Sequence, residues 1–413
     1  MPRFAPFPGL RYDPELVSLA DVVAPPYDVI DPQERADLQA RSPYNSVRIE
    51  LPDATPALDP YQAAAQRLAE WQERGILRRD PEARYYGYQM TYTDPTGRQR
   101  HTVGVIGALG LEPPGHGVFP HERTTPKAKS DRLQLLQSTK VNTSPIWGLS
   151  LAKGLSVELI APDTAHDVNS PNGAKDPDLV VDDDGVAHRA WPITDPDAIA
   201  RITEAVSSAP VVIADGHHRF DTALTYQQQA GQATPVAEAG QTEGSHGVMA
   251  LIVELVQDQL SVQGIHRLLS DLPADLDLVG ALSAFFEVTP TDASAAILER
   301  MAHAGAMGLL TPAGAWLLEA RPGTIAAAAQ DLDSSRLEVA LAALPPHQLT
   351  YQHGYDAAAA AVARGDAQAA VLLRPVTVEQ IAATAQGGER MPPKTTFFWP
   401  KPRTGFVFRQ VED

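Results

Sequence analysis

Residues 210–227 read PVVIADGHHRFDTALTYQ. Val211 to Ala214 is a short apolar run, mostly β-branched, the pattern of an interior strand. Asp215, Gly216, His217, His218 and Arg219 follow without a gap. From Phe220 the pattern changes to helix formers, with Phe220, Ala223, Leu224 and Tyr226 on one side at three-to-four spacing. A rigid strand therefore aims a polar turn, and a helix follows it.

Such a turn leaves backbone N–H groups without intrahelical partners at the helix N-terminus, where the macrodipole also favours negative charge. That is a phosphate cradle. Arg219 is charged at any physiological pH and matches a phosphate as a two-pronged donor. Gly216 lets the backbone approach a ligand closely. His217 and His218 can donate to phosphate or shuttle protons, and Asp215 can hold a metal ion or a hydroxyl. The competing reading is a structural turn with Asp215 as its N-cap.

ADGHHRFDTAL resembles the signature of the bacterial and archaeal family known as domain of unknown function 1015 (DUF1015). The likeness continues in VVAPPYDVI (22–30), SPYNSVRIELP (42–52), PHERT (120–124), KSDRLQLL (129–136), IHRLL (265–269) and GERMPPKTTFFWPK (388–401). It covers most of the chain and names a family without an activity. More distantly, DGHHR looks like the Gly-x-x-Arg turn of the ParB and sulfiredoxin-like superfamily, which includes nucleotide-binding switches, sulfinic acid reductases and kinases of free serine. The resemblance implies a mixed-sheet N-terminal lobe containing a ParB/sulfiredoxin-like element.

The chain has 413 residues, 44% of them hydrophobic, enough for two or more packed lobes. Thirty-three basic against fifty-one acidic residues leave a net charge of −18, which opposes general binding to nucleic acid or anionic membrane. There is no cysteine. Disulfides, thiol catalysis and cysteine-ligated metals are excluded, and a sulfiredoxin-like reaction loses its usual nucleophile. MPRFAPFPGLRY carries no apolar core of signal-peptide length and no stretch reaches eighteen uninterrupted apolar residues, so the expectation is a cytoplasmic protein.

Pro25 and Pro26 force an extended loop with Tyr27 and Asp28 at its exit, and Asp31-Pro32 opens a helix to about Arg41. Tyr27 and Asp28 are candidates to face the cleft. Ser46 to Leu51 alternates as a strand, and Tyr61 to Gly75 reads as an amphipathic helix with Ala64, Leu68, Trp71 and Leu77 in its apolar line. Arg84 to Tyr92 and Arg98 to Leu111 read as a hairpin around Asp94-Pro95-Thr96-Gly97.

A second chemical block, Gly117 to Thr124, precedes a helix to about Ser138, with Thr124 as its N-cap and Pro126 in its first turn. It carries His121, Glu122 and Arg123, with Lys127 in the helix. A carboxylate beside such cations can take a proton from an attacking hydroxyl while they offset phosphate charge. In the serine kinases of the ParB-like group, a glutamate in a similar His-Glu context serves as base, which implies that role for Glu122, with His121 beside it. Asn142 is a candidate ligand. Asp163 to Gly185 reads as loop, with its Asp182-Asp183-Asp184-Gly185 end a turn rather than a cation site. Val248 to Val256 reads as a strand.

His266 and Arg267 sit between apolar residues and are expected to face a polar pocket or a carboxylate. Residues 271–413 read as a second α+β lobe with roles in packing, dimerisation or specificity, and 1–270 as the lobe with the chemistry. The Pro-rich, aromatic, basic stretch Met391 to Lys401 should fold back onto the body, with Lys394 a candidate clamp. No Walker loop, Rossmann fingerprint, H-E-x-x-H or G-x-S-x-G motif occurs.

Three function classes fit these residues. The first is a phosphotransferase that uses ATP or ADP with Mg, Asp215 holding the metal, on a small hydroxylated acceptor such as serine. The second is a non-catalytic nucleotide sensor. The third is a metal-dependent hydrolase built on His121, Glu122, Asp215, His217 and His218.

Overall fold

The computed structural model describes residues 1–94, 97–112, 117–120, 126–159, 179–182, 184–231, 242–387, 391–392 and 394–411. The chain divides into two compact units, Met1–Leu260 with Pro400–Asp413, and Ser261–Trp399. Both are α+β. The division falls at 260 rather than 270 because the strand Ile265–Ser270 pairs inside the second unit's sheet. The last fourteen residues return to the first unit, where Thr404 exchanges backbone hydrogen bonds with Ala24 (2.8 and 3.0 Å) and Phe408 with Leu10 (2.9 Å each way).

Among the described residues the first unit is built on a nine-stranded mixed sheet. Its order runs Val118–Pro120, Val211–Asp215, Ile146–Ser150, Gly247–Glu254, Gln99–Gly110, Tyr85–Thr93, Ala187–Ile193, Leu179–Val181, with Phe4–Ala5 also paired to Gln99–Gly110. Val211–Asp215 runs parallel to Val118–Pro120, and Gly247–Glu254 parallel to Ile146–Ser150; the other pairings are antiparallel. Gly247–Glu254 is buried along its whole length, which is why its residues up to Val253 read as an apolar run rather than an alternating one. Val211, Ile213, Ile146, Val248, Ile252 and Phe220 meet in the main core.

The helices follow their sequence signals. Asp31 caps Pro32–Arg41 by accepting from the Glu34 amide (2.8 Å), and Asp59 caps Pro60–Glu73. Ser46 to Leu51 is not the expected strand: Val47–Glu50 is a short helical turn. The Asn45 side chain explains it. Its amide donates to the carbonyls of Asp21 and Val23 while its oxygen accepts from Val47 N–H (3.0 Å), so a side chain takes the bonds that a ladder would have used.

The second unit holds a six-stranded sheet in the order Phe286–Thr291, Gly314–Ala320, Met307–Thr311, Ala369–Leu372, Ile265–Ser270, Gln348–His353, antiparallel at every pairing. Leu269 and Leu268 point into different apolar clusters, so both faces of this sheet carry apolar cover.

Candidate active site

The site gathers at the end of Val211–Asp215. The pairing with Ile146–Ser150 shifts register between Ile213 and Asp215, an irregularity that re-aims a side chain at a strand end. Gly216 then takes φ +87°, and the helix His217–Gly231 starts at once. The polar turn is thus shorter than the five residues expected, because His217, His218 and Arg219 form the helix's first turn. A Cβ at Gly216 would lie 3.0 Å from Ile146 Cγ2 and 3.1 Å from Arg219 Nε, so both φ and space call for glycine.

Asp215 is bracketed by two cations. Its Oδ2 accepts from Arg219 Nη2 at 3.0 Å, and its Oδ1 from Lys401 Nζ. Burial would raise the carboxyl pKa, but the charges of Lys401 and Arg219 outweigh it and hold Asp215 well below the usual carboxylate range. Arg219 donates further to Ser144 Oγ (3.0 Å) and to the Pro145 carbonyl (2.6 Å). Burial opposes its charge, yet Asp215, Asp28 and Glu50 raise its pKa above the ordinary value.

The PPYD loop reaches the same place. Tyr27 lies under the Arg132 guanidinium, 4.3 Å from the ring centre. Its phenol is pushed up to about 12 by burial, with the Arg219 charge working against the shift and Asp28 adding to it. Lys401 stands close by in sequence to Thr404, whose bridge to Ala24 ties the C-terminal segment to this loop. Arg132, on the helix Pro126–Thr139, donates to the Glu50 carbonyl (2.9 Å) and pairs with Asp131 (2.6 Å). Glu50 Oε1 accepts from Ser144 Oγ (3.0 Å), which closes a relay from Arg219 through Ser144 to Glu50.

The sequence-predicted residues are placed unevenly. Asp215, Gly216, His217, His218, Arg219, Tyr27 and Asp28 come together in the first unit. His121, Glu122 and Arg123 lie outside the described residues, as does the side chain of Lys127. Asn142 borders the neighbouring cavity, but its amide oxygen is engaged by Met249 N–H (3.0 Å) and Arg409 (3.2 Å).

His266, Arg267 and Lys394 belong to the second unit. His266 is buried and accepts from Leu373 N–H (3.3 Å), and Arg267 donates to the Ile265 carbonyl and covers the Tyr351 ring at 4.7 Å. Lys394 is exposed with φ +56°. Among the described residues, the lysine that meets Asp215 is Lys401.

No local sequence pattern marks Glu50, Arg132, Ser144 or Lys401 as site residues. A strand reading of Ser46 to Leu51 puts Glu50 beside Arg48 on a polar face. A helical reading puts it three residues after Val47 on the buried side, and its side chain is 1% exposed.

A family model described as "Protein of unknown function (DUF1015)" matches residues 4–335. The chain belongs to the DUF1015 family. No curated protein matches it. Among solved structures, a free serine kinase mutant in complex with ADP is 13% identical with a TM-score of 0.40, covering 75% of this chain and 92% of its own. A conserved hypothetical protein from Pyrococcus furiosus is 13% identical (TM-score 0.36; 75% and 95%), and SbnI with a C-terminal truncation from Staphylococcus aureus 10% (TM-score 0.38; 73% and 85%).

Asp215 does not fit the role of a magnesium ligand. Each of its oxygens already meets a cation, and a divalent ion there would face Lys401 and Arg219 at close range. Among the described residues no group of three or more His, Asp or Glu is arranged to hold a metal. No described helix is long and apolar enough to cross a membrane.

Proposed function

We propose that this DUF1015 protein is a nucleotide-dependent phosphotransferase. ATP or ADP binds with its phosphates at the start of the helix His217–Gly231, and a small hydroxylated metabolite accepts the phosphoryl group. The observation that carries the reading is the bracketed carboxylate: a helix N-terminus, turned by Gly216, opens beside one aspartate and two cations. The helix amides and Lys401 supply the donors and charge that an anion needs. The Nη groups of Arg219 are engaged by Asp215, Ser144 and Pro145, so Arg219 contributes charge and position rather than a two-pronged grip. Phosphoryl transfer depends mainly on such positioning and charge compensation. Glu122 is proposed as the base, with His121 beside it and Arg123 and Lys127 adding positive charge to the phosphate side.

The test is incubation of purified protein with ATP, then ADP, in buffers with and without magnesium, against a pool of hydroxylated metabolites, with products read by mass spectrometry. A phosphorylated product that disappears in Lys401→Met and in Glu122→Gln is the expected result. Nucleotide binding without any product would favour the sensor reading, and absence of both would sink the proposal.

A further inference from the structure

The turn that begins at Asp182 is closed by Gly185 N–H, which donates to the Asp182 carbonyl at 3.0 Å. One carboxylate oxygen of Asp182 serves the same turn, accepting from the amides of Asp184 (3.0 Å) and Val186 (2.8 Å). The other bonds outside it: Oδ2 accepts from His188 Nε2 (3.0 Å) and from Arg403 Nη2. His188 is fully buried on the strand Ala187–Ile193, and its Nδ1 meets the Tyr88 hydroxyl at 2.9 Å. Tyr88 stands opposite Ala190, which puts His188 diagonally across from it on the same face of the sheet. The Tyr88 oxygen in turn accepts from Arg403 N–H (2.9 Å), so the four residues close a ring.

One arrangement of protons satisfies every bond. Arg403 N–H donates to the Tyr88 oxygen, the phenol proton goes to His188 Nδ1, and Nε2 carries the imidazole proton and donates to Asp182. His188 is then neutral, in keeping with burial that lowers its pKa. Arg403 is gripped by main chain and side chain together. Phe406 adds an edge contact to the Tyr88 ring, 5.4 Å between centres. Lys401 lies two residues before Arg403, about 7 Å of chain at most. Its four-carbon stem is flexible, so the ammonium keeps its place at Asp215 only if its own backbone is fixed. A buried ionic ring is a poor device for stability alone, since apolar side chains of similar volume often serve as well. What this ring supplies is a set position for residue 403.

We propose that Asp182, His188 and Tyr88 are positioning residues for Lys401: by fixing Arg403 they hold the chain where the lysine ammonium meets Asp215. The proposal deepens the phosphotransferase reading, on which the role of Lys401 at the phosphates rests.

The test has two readouts. The first uses the nucleotide-free full chain, in which brief acylation with acetic anhydride and peptide mass spectrometry give the labelling rate of Lys401 relative to the exposed Lys153. Tyr88→Phe keeps the ring that packs on Phe406 and removes its hydroxyl, and Asp182→Asn removes the anion. Each should speed labelling of Lys401 about tenfold or more, the scale of one charge-assisted hydrogen bond. Ile202→Ala loosens the main core without touching the ring and should leave that rate as in wild type. If Asp182→Asn fails to fold, Tyr88→Phe decides. An unchanged rate in Tyr88→Phe, or an equal rise in Ile202→Ala, would overturn the proposal.

The second readout is ADP affinity by calorimetry. Tyr88→Phe should weaken binding in the wild-type background and have no further effect in Lys401→Met, because it acts through that lysine. Equal losses in both backgrounds would also overturn the proposal. A wild type that binds no ADP counts against the phosphotransferase reading, and the labelling rates alone then decide whether the ring positions Lys401.

Discussion

Replacing Lys401 by methionine keeps the length of the stem and removes one of the two cations on Asp215. Both side chains are largely buried, 13% and 16% exposed. Arg219 still holds the other oxygen at 3.0 Å, so the carboxylate is not orphaned. The loss is that of a charge-assisted hydrogen bond, about 1.5–3 kcal/mol. Asp215→Asn should cost more, about 3–5 kcal/mol, because it leaves two buried cations without their counter-charge. Hydrogen exchange of peptides covering Val211–Gly231 reads this locally, and the smaller loss corresponds to about tenfold to hundredfold faster opening.

The pH dependence has a definite sign. The folded pKa of Asp215 lies below the unfolded value of about 3.9, so its contribution is present above that pH and is lost as pH falls below it. Asp215→Asn should lack this acid-sensitive part. Wild-type exchange in Lys401→Met, or an Asp215→Asn variant no worse than Lys401→Met, would refute the bracketed-carboxylate account.

The second unit should respond to pH through His266, whose pKa is lowered to about 4, chiefly by burial and further by the charges of His353 and Arg267. The unfolded chain binds the proton first, so stability should be full above about 6.5 and fall by about 3 kcal/mol on going down to pH 4. Exchange of peptides from Ile265–Ser270 over that range should reveal the slope, and His266→Gln should flatten it. Gly216→Ala should lower the melting temperature by the equivalent of about 1–2 kcal/mol, since an L side chain at φ +87° is strained. A melting temperature equal to wild type would contradict the turn geometry. Glu122→Gln should depress turnover far more than nucleotide affinity, measured by product formation against calorimetry; normal turnover would remove Glu122 as the base.

What local pattern could decide, it decided well. The strand and glycine at 211–216, the Asp31 cap and the hairpin of 85–93 with 99–110 are short-range matters of φ, periodicity and side-chain capping, each legible in a dozen residues, whereas the helix begins at His217 and not at Phe220. The gathering of charge at the DGHHR turn was equally legible. Local pattern failed at Ser46 to Leu51, where alternation mimicked a strand while Asn45, reaching back to residues 21 and 23, imposed a helical turn.

That error hid Glu50, because the period assumed for a segment determines which of its side chains is buried. Lys401 was hidden for a different reason. It lies 186 residues from Asp215, and nothing in the neighbourhood of either residue specifies the other. Only the return of residues 400–411 along Ala24 and Leu10 brings a lysine to the buried carboxylate, and the desolvation of that carboxylate is what makes the partner necessary.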